Sequence, residues 1–205
     1  MATKEQALRL VIGLGNPGDR FMNNRRNIGF KVVDVLANNT NIHIKTKKKK
    51  SLLGTGDFEG HEIVLLKPQT FMELSGEAVL YIASFHRVPV EKIIVIHDDY
   101  TIPYGKVKVG RGEVEIDHKG IKSIAKNLRS DKFVRIRVGI GPIPDKDPDK
   151  LTQKDIDKHL LDDFHMEDNM RIIEVINDAE AALRAILTQD IEDVLSRNKL
   201  GDPKA

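Results

Sequence analysis

The chain has 205 residues, with 33 Lys and Arg against 31 Asp and Glu, and its formal net charge of +2 announces no polyanionic partner by itself. It has no cysteine, which excludes disulfides, thiolate metal centres and cysteine nucleophiles and is compatible with a cytoplasmic setting. No stretch approaches the ~20 apolar residues of a membrane span, and the N-terminus lacks the apolar core of a secretion signal, so the expectation is one soluble domain over 1–195 with a frayed tail at 196–205.

A strand-like run at Leu10 to Leu14 leads into Gly13-Leu14-Gly15-Asn16-Pro17-Gly18, a sharp turn that holds Asn16 at a strand end. The spacing matches a dinucleotide fingerprint, but no helical pattern opens behind the last glycine, and periodicity resumes only at Ile28. Ile28, Val32, Val35 and Leu36 then mark a helix to about Asn38, with Asn27 as its N-cap. A basic cluster, Lys45 and Lys47 to Lys50, precedes a hairpin of two strands, Leu52 to Phe58 and His61 to Leu66, turning at Glu59-Gly60.

Ser75 is expected to cap a helix whose stripe is Ala78, Val79, Ile82 and Ala83. The aliphatic run from Lys92 to His97 reads as a parallel strand buried on both faces, with Asp98 and Asp99 at its C-terminal end, where open α/β sheets bind ligands. A short strand at Val107 to Val109 and a loop from Gly110 to Gly120 precede a helix from Ile121 to about Leu128. From Phe133 to Ile140 the chain alternates, predicting a core face and a wet face carrying Arg135 and Arg137. Thr152 caps a short helix to about Leu161, and a long helix follows with Met170, Ile173, Ile176, Leu183 and Leu187 on its stripe. Strands alternating with helices predict a single α/β domain whose mixed, mostly parallel twisted sheet is flanked by helices.

Several motifs, read together, are more specific than any one alone. Gly13 to Gly18, Arg25-Arg26-Asn27-Ile28-Gly29, Lys67-Pro68-Gln69-Thr70-Phe71-Met72 with Ser75-Gly76, His97-Asp98-Asp99 with Pro103 and Gly105, and Arg135 to Gly141 occur in this order. The series resembles that of bacterial-type peptidyl-tRNA hydrolases over about residues 9–190. The resemblance implies a cytoplasmic, monomeric enzyme without metal or cofactor that hydrolyses the ester joining a stalled peptide to the 3′ end of tRNA. Its partner would be tRNA or peptidyl-tRNA, with no role for a membrane. In that family a histidine oriented by an aspartate activates water, and asparagines position the substrate and stabilise the oxyanion.

Carried over position by position, the resemblance assigns Asn16 and Asp98 to the catalytic group and places Arg26 where the histidine is expected. Phe71 falls among the substrate contacts. Glu73 and Lys119 stand in place of two asparagines, and Lys108 and Arg137 match a pair that grips a tRNA terminal phosphate. Arginine, with a pKa of ~13, cannot serve as a base, so activity is expected to be impaired or lost unless a displaced base such as His118 works beside Asp98. The alternatives are a non-catalytic tRNA- or RNA-binding member of the fold and a protein-interaction member. Lys108 and Arg137 favour RNA binding, whereas Glu113, Glu115 and Asp117 would repel an RNA backbone.

Overall fold

The computed structural model describes residues 8–112, 117–144, 146–165 and 169–200. Leu10, Val11 and Ile12 are fully buried, as a strand covered on both faces must be, and they form the centre of β1 (Arg9–Gly13). The sheet has seven strands in the order β2-β3-β4-β1-β5-β7-β6, the others being β2 (Thr46–Lys47), β3 (Ser51–Phe58), β4 (His61–Pro68), β5 (Ile93–Pro103), β6 (Val107–Arg111) and β7 (Val134–Gly141). β4, β1, β5 and β7 run parallel, while β2 and β3 at one edge and β6 at the other are antiparallel to their neighbours. This is the mixed, mostly parallel α/β sheet that the alternating pattern predicts.

The helices are α1 (Ile28–Asn39), α2 (Ser75–Phe85), α3 (Lys119–Leu128), α4 (Gln153–Leu161), α5 (Asn169–Thr188) and α6 (Ile191–Leu200). One core joins α1, α5 and α6 to a face of the sheet through Val33, Leu36, Leu183 and Leu187. A second, with Val79, Ile82, Ile121 and Ile124, seats α2 and α3 on the opposite face. A smaller cluster, Ile140, Ile143, Ile156 and Leu160, fixes α4 against the end of β7. Among the described residues no helix is long and apolar enough to cross a membrane.

Several local expectations change. Ser75 is the first residue of α2 rather than its cap; the capping position is Leu74, and the buried Ser75 hydroxyl has no partner among the described residues. Asp98 and Asp99 lie inside a strand that runs on to Pro103, because pairing with β7 continues past Asp99 through an irregularity in register. Arg135 is buried rather than wet: it lies on the face of β7 that carries Phe133 of the second core, and its guanidinium donates to the Gly112 carbonyl. On α5 the inward stripe is Val175, Ile176, Ala179, Leu183 and Ile186, while Met170 and Ile173 are exposed. Helix α6 extends through Leu200, past the start of the expected tail. Glu113 and Glu115 lie outside the described residues.

What positions the site is a close approach of α1 to β1 and β5. A Cβ on Gly29 would stand 2.4 Å from the Ile96 carbonyl oxygen, and one on Gly13 would stand 2.4 Å from the Gly29 carbonyl oxygen. Only hydrogen fits on either side, so the first turn of α1 rests against the backbone of both strands. Gly29→Ala should therefore destabilise the fold by ~1–3 kcal/mol or more through overpacking. Gly110→Ala, where nothing lies within 4 Å of the added methyl, should change stability by no more than about 0.5 kcal/mol. Urea denaturation of the two variants side by side measures the difference, and equal midpoints would show that the contact relaxes freely.

Candidate functional site

The Gly13–Gly29 contact brings the residues before α1 beside the turn after β1. Asn27 stands at the N-cap position of α1 but makes no side-chain cap bond. Its amide reaches across instead: Oδ1 accepts the Asn16 N–H at 2.7 Å and Nδ2 donates to the Asn16 carbonyl at 3.0 Å. Both backbone groups of Asn16 are thus held, leaving its nearly buried side chain on the wall of a cleft of about 190 Å³ that Arg26, Phe71, Glu73 and Lys119 also line. Asn16, Arg26, Glu73 and Lys119 therefore converge as the motif order implies, and Asp98 joins them through Arg26.

At the floor of the site, Asp98 is almost fully buried between two partners. Arg26 Nη1 donates to its Oδ2 at 2.8 Å, and His118 Nε2 lies 3.1 Å from Oδ1. His118 also caps α3, its Nδ1 accepting the N–H groups of Gly120 at 3.1 Å and Ile121 at 3.3 Å. A backbone amide can only donate, so Nδ1 carries no proton and the ring hydrogen sits on Nε2, facing the carboxylate. Burial alone would raise the Asp98 carboxyl, but Arg26 and His118 outweigh it and hold the group well below the usual carboxylate range.

Behind this pair, the completely buried His97 stacks edge-on to His118 with ring centroids 4.8 Å apart. Its Nδ1 donates to the Asp98 carbonyl at 2.8 Å, and Nε2 has no partner among the described residues. Burial first, and the neighbouring His118 next, push the His97 imidazole down to about 3.

The rim is polar and open. Lys119 Nζ stands 3.5 Å from Glu73 and 4.0 Å from Asp157, all three side chains being well exposed. Phe71 is exposed by more than half of its surface. The loop bearing Glu73 is tied to α3 by Ser123, whose hydroxyl donates to the Glu73 carbonyl at 2.8 Å and accepts the Gly76 N–H at 3.0 Å. A second cavity, of about 110 Å³, runs from Arg26 and Asp98 to Asp99 and Arg137. There Arg137 Nε donates to Asp99 at 2.8 Å, while Thr101 donates to the other oxygen of that carboxylate through its N–H at 2.9 Å and its hydroxyl at 2.6 Å. Lys108 is the residue directly opposite Arg137 across β6 and β7. Among the described residues no group of His, Asp or Glu is arranged to hold a metal ion.

The sequence profile described as Peptidyl-tRNA hydrolase matches residues 10–204. The chain belongs to the peptidyl-tRNA hydrolase family. It is similar to a peptidyl-tRNA hydrolase of Caldanaerobacter subterraneus subsp. tengcongensis, with 38% identity over 92% of this chain and 97% of that one. A peptidyl-tRNA hydrolase of Geotalea daltonii shares 40% over 79% and 81%. Among solved structures, the Acinetobacter baumannii peptidyl-tRNA hydrolase superposes with a TM-score of 0.84 at 25% identity, covering 96% of each chain. A peptidyl-tRNA hydrolase crystallised with n-propanol also gives 0.84, at 26% identity over 98% of this chain and all of that one.

Within this family frame, sequence reasoning missed Asn27, Ser123 and Asp157 as parts of the site. Asn27 carried a signal, a polar residue between Arg26 and a helix start, but it pointed to capping. Ser123 and Asp157 come from elements distant in sequence, and nothing local marks them.

Asp98→Asn would leave the Arg26 guanidinium buried without its counter-charge and should destabilise the protein by ~3–5 kcal/mol, whereas Glu73→Gln at the exposed rim should lose less than ~1 kcal/mol. Chemical denaturation compares them, and similar losses would mean that the buried pair is no stronger than a surface one.

The buried imidazole gives a pH signature with a definite sign. Between about 6.5 and about 3 the unfolded chain binds a proton at His97 that the folded chain refuses, so stability falls as pH drops through that window. The slope has a ceiling of ~1.4 kcal/mol per pH unit for one proton. His159, also lowered by burial, adds with the same sign. Asp98 contributes lower, its share being lost only as pH falls beneath the unfolded carboxylate value. In His97→Gln the stability profile from pH 7 to 4 should be measurably shallower; an unchanged slope would show that His97 titrates normally in the folded state.

Proposed function

We propose that this chain is a tRNA-binding member of the peptidyl-tRNA hydrolase family whose ester hydrolysis is strongly impaired. The observation that carries this reading is the Arg26–Asp98 pair at 2.8 Å. Arg26 occupies the position the family resemblance gives to the water-activating histidine, and a guanidinium has no lone pair to offer a proton at neutral pH. The aspartate that would orient a base is occupied by it instead.

His118 is a weak substitute for the missing base. One ring nitrogen is occupied by two backbone donors and the other holds its proton against Asp98, so neither can accept a proton from water without the N-terminus of α3 losing its cap. Glu73 and Lys119 in turn bring opposite charges to positions where neutral amides would align a carbonyl or stabilise an oxyanion.

Retention of Lys108 opposite Arg137 supports continued recognition of a tRNA phosphate. Asp99 holds Arg137 by one nitrogen, which aligns the guanidinium along the strand pair. The protein-interaction alternative rests on Glu113, Glu115 and Asp117. Asp117 is engaged with Lys122 at 2.6 Å, which reduces the repulsion it would offer an RNA backbone. We read the protein as a monomer of the cytoplasm, as the family resemblance implies.

The expected single-turnover rate on peptidyl-tRNA is at least ~10²-fold below that of a relative with an intact histidine. Arg26→His alone should recover little, and the triple change Arg26→His, Glu73→Asn, Lys119→Asn should recover much more than the sum of its parts, because residues acting as a unit are strongly non-additive. Rates for all eight combinations between pH 5 and 9 make the test. Near-normal turnover by the unmodified chain, abolished by His118→Ala and indifferent to Arg26→His, would overturn the reading.

A further inference from the structure

The basic cluster before β3 sits on a tight, strained turn. Lys48 N donates to Ser51 O at 3.0 Å and Ser51 N to Lys48 O at 2.9 Å, which defines a two-residue hairpin turn with Lys49 and Lys50 at its tip. Both tip residues have positive φ, 44° and 53°. A turn of this kind favours Asn-Gly, because an L side chain with a Cβ is strained in the left-handed region. Two consecutive lysines there are an unfavourable choice for the fold, and strain kept at a surface position points to a demand other than stability.

Charge points the same way. Between residues 41 and 56 there are five lysines and no acidic residue. Lys45 and Lys47 to Lys50 are shown in no ion pair among the described residues, so five neighbouring cations go without a carboxylate partner, unlike Lys67, Lys119, Lys122, Lys146 and Lys150. The tip is also not a loose lysine tract. Lys48 Nζ lies 3.0 Å from the centre of the Phe85 ring and Lys49 Nζ 5.1 Å from that of Tyr81, and these two rings stack at 6.4 Å on the outer face of α2. Phe85 is exposed by more than half of its surface. The Lys50 carbonyl accepts the Gln69 N–H at 2.7 Å, which ties the hairpin to the segment that leads to Phe71 and Glu73.

We propose that the Lys48–Lys50 hairpin, with the Tyr81 and Phe85 rings, is a second RNA-backbone contact, separate from the Lys108–Arg137 pair. Cations held beside partly exposed aromatic rings are a combination that can hold phosphates without reading sequence. Lys108 and Arg137 lie at the β6–β7 edge and the hairpin at the opposite edge of the same sheet. At ~4.8 Å per strand the two edges are roughly 29 Å apart. A polyanion of tRNA size spans that distance and a single nucleotide does not. The proposal rests on the reading that the chain binds tRNA.

The test is the pair Lys49→Asn and Lys50→Gly made together in the full chain, with deacylated tRNA as the probe across a salt series. Relief of the turn should raise Tm by ~2–4 °C. Removal of two cations should weaken tRNA binding several-fold at low salt and reduce the slope of log K against log [salt] by roughly 1.4–1.8. Lys49→Arg with Lys50→Arg should keep the affinity. Lys108→Ala, Arg137→Ala should lower the slope independently, so the two losses should add in the combined variant. A more stable hairpin variant with unchanged tRNA binding, alongside a weakened Lys108/Arg137 variant, overturns the proposal and leaves the tRNA reading standing. No tRNA binding by the unmodified chain at low salt overturns both. Loss of binding to polyglutamate in the hairpin variant, with tRNA binding intact, assigns the patch to an acidic protein and overturns it as well.

Discussion

A carboxylate buried to the last per cent of its surface has to be matched by positive charge or neutralised, and the site depends on how Asp98 is matched. Arg26 supplies a permanent cation on one oxygen and His118 a ring N–H on the other. Once that arrangement is in place, the carboxylate has no need of a group that can give up a proton. An arginine engaged by a buried carboxylate neither loses its charge nor swings away without stranding its partner. At the rim, Lys119 and Glu73 repeat the pattern in a weaker, solvated form. At the positions of the motif two cations face two anions, with Asp157 a third carboxylate beside Lys119, where the family resemblance calls for neutral amides and one titratable ring.

Legibility in the sequence followed the range of the interactions. The strands β1, β5 and β7 and the helices α1 and α2 were readable because each buries an aliphatic run or stripe of its own. The order of motifs gave the family and brought Asn16, Arg26, Glu73, Asp98 and Lys119 to one place. Helix-capping rules placed the start of α1 at Asn27, although its amide binds the Asn16 backbone instead of capping, and they failed at Ser75, where α2 begins one residue earlier than the serine suggested. The wet face expected of β7 failed at Arg135 for a related reason, since that face carries Phe133 of the α2–α3 core and the Arg135 guanidinium finds the Gly112 carbonyl from a distant part of the chain. On α5 the exposed Met170 and Ile173 show that a periodic stripe gives a helix its phase only where a partner surface exists to meet it.

The sheet also separates tasks along its width. Central β1 and β5 carry the Asn16 turn and Asp98, the β6–β7 edge carries Lys108 and Arg137, and the far edge carries the strained lysine hairpin. The lysine hairpin sits on an exposed turn, where a change of residue costs little packing, whereas Arg137, second from the other edge, is held by Asp99. Charges at the centre sit above a core in which Gly13, Gly29 and Gly139 leave no spare volume. Surface recognition and interior chemistry can therefore change at different rates on the same scaffold.

The paired hydrogen bonds between Asn27 and Asn16 have one further meaning. By composition, Gly15 to Gly18 is a loop, and loops ordinarily open by themselves, well below the free energy needed to unfold a domain. Here the amide and carbonyl of Asn16 are both spent on a side chain whose own backbone is the first step of α1, and α1 lies against two central strands with no gap between them. The turn has no private way to open. It belongs to the same cooperative unit as the sheet, so the most loop-like stretch of the chain behaves as part of its core.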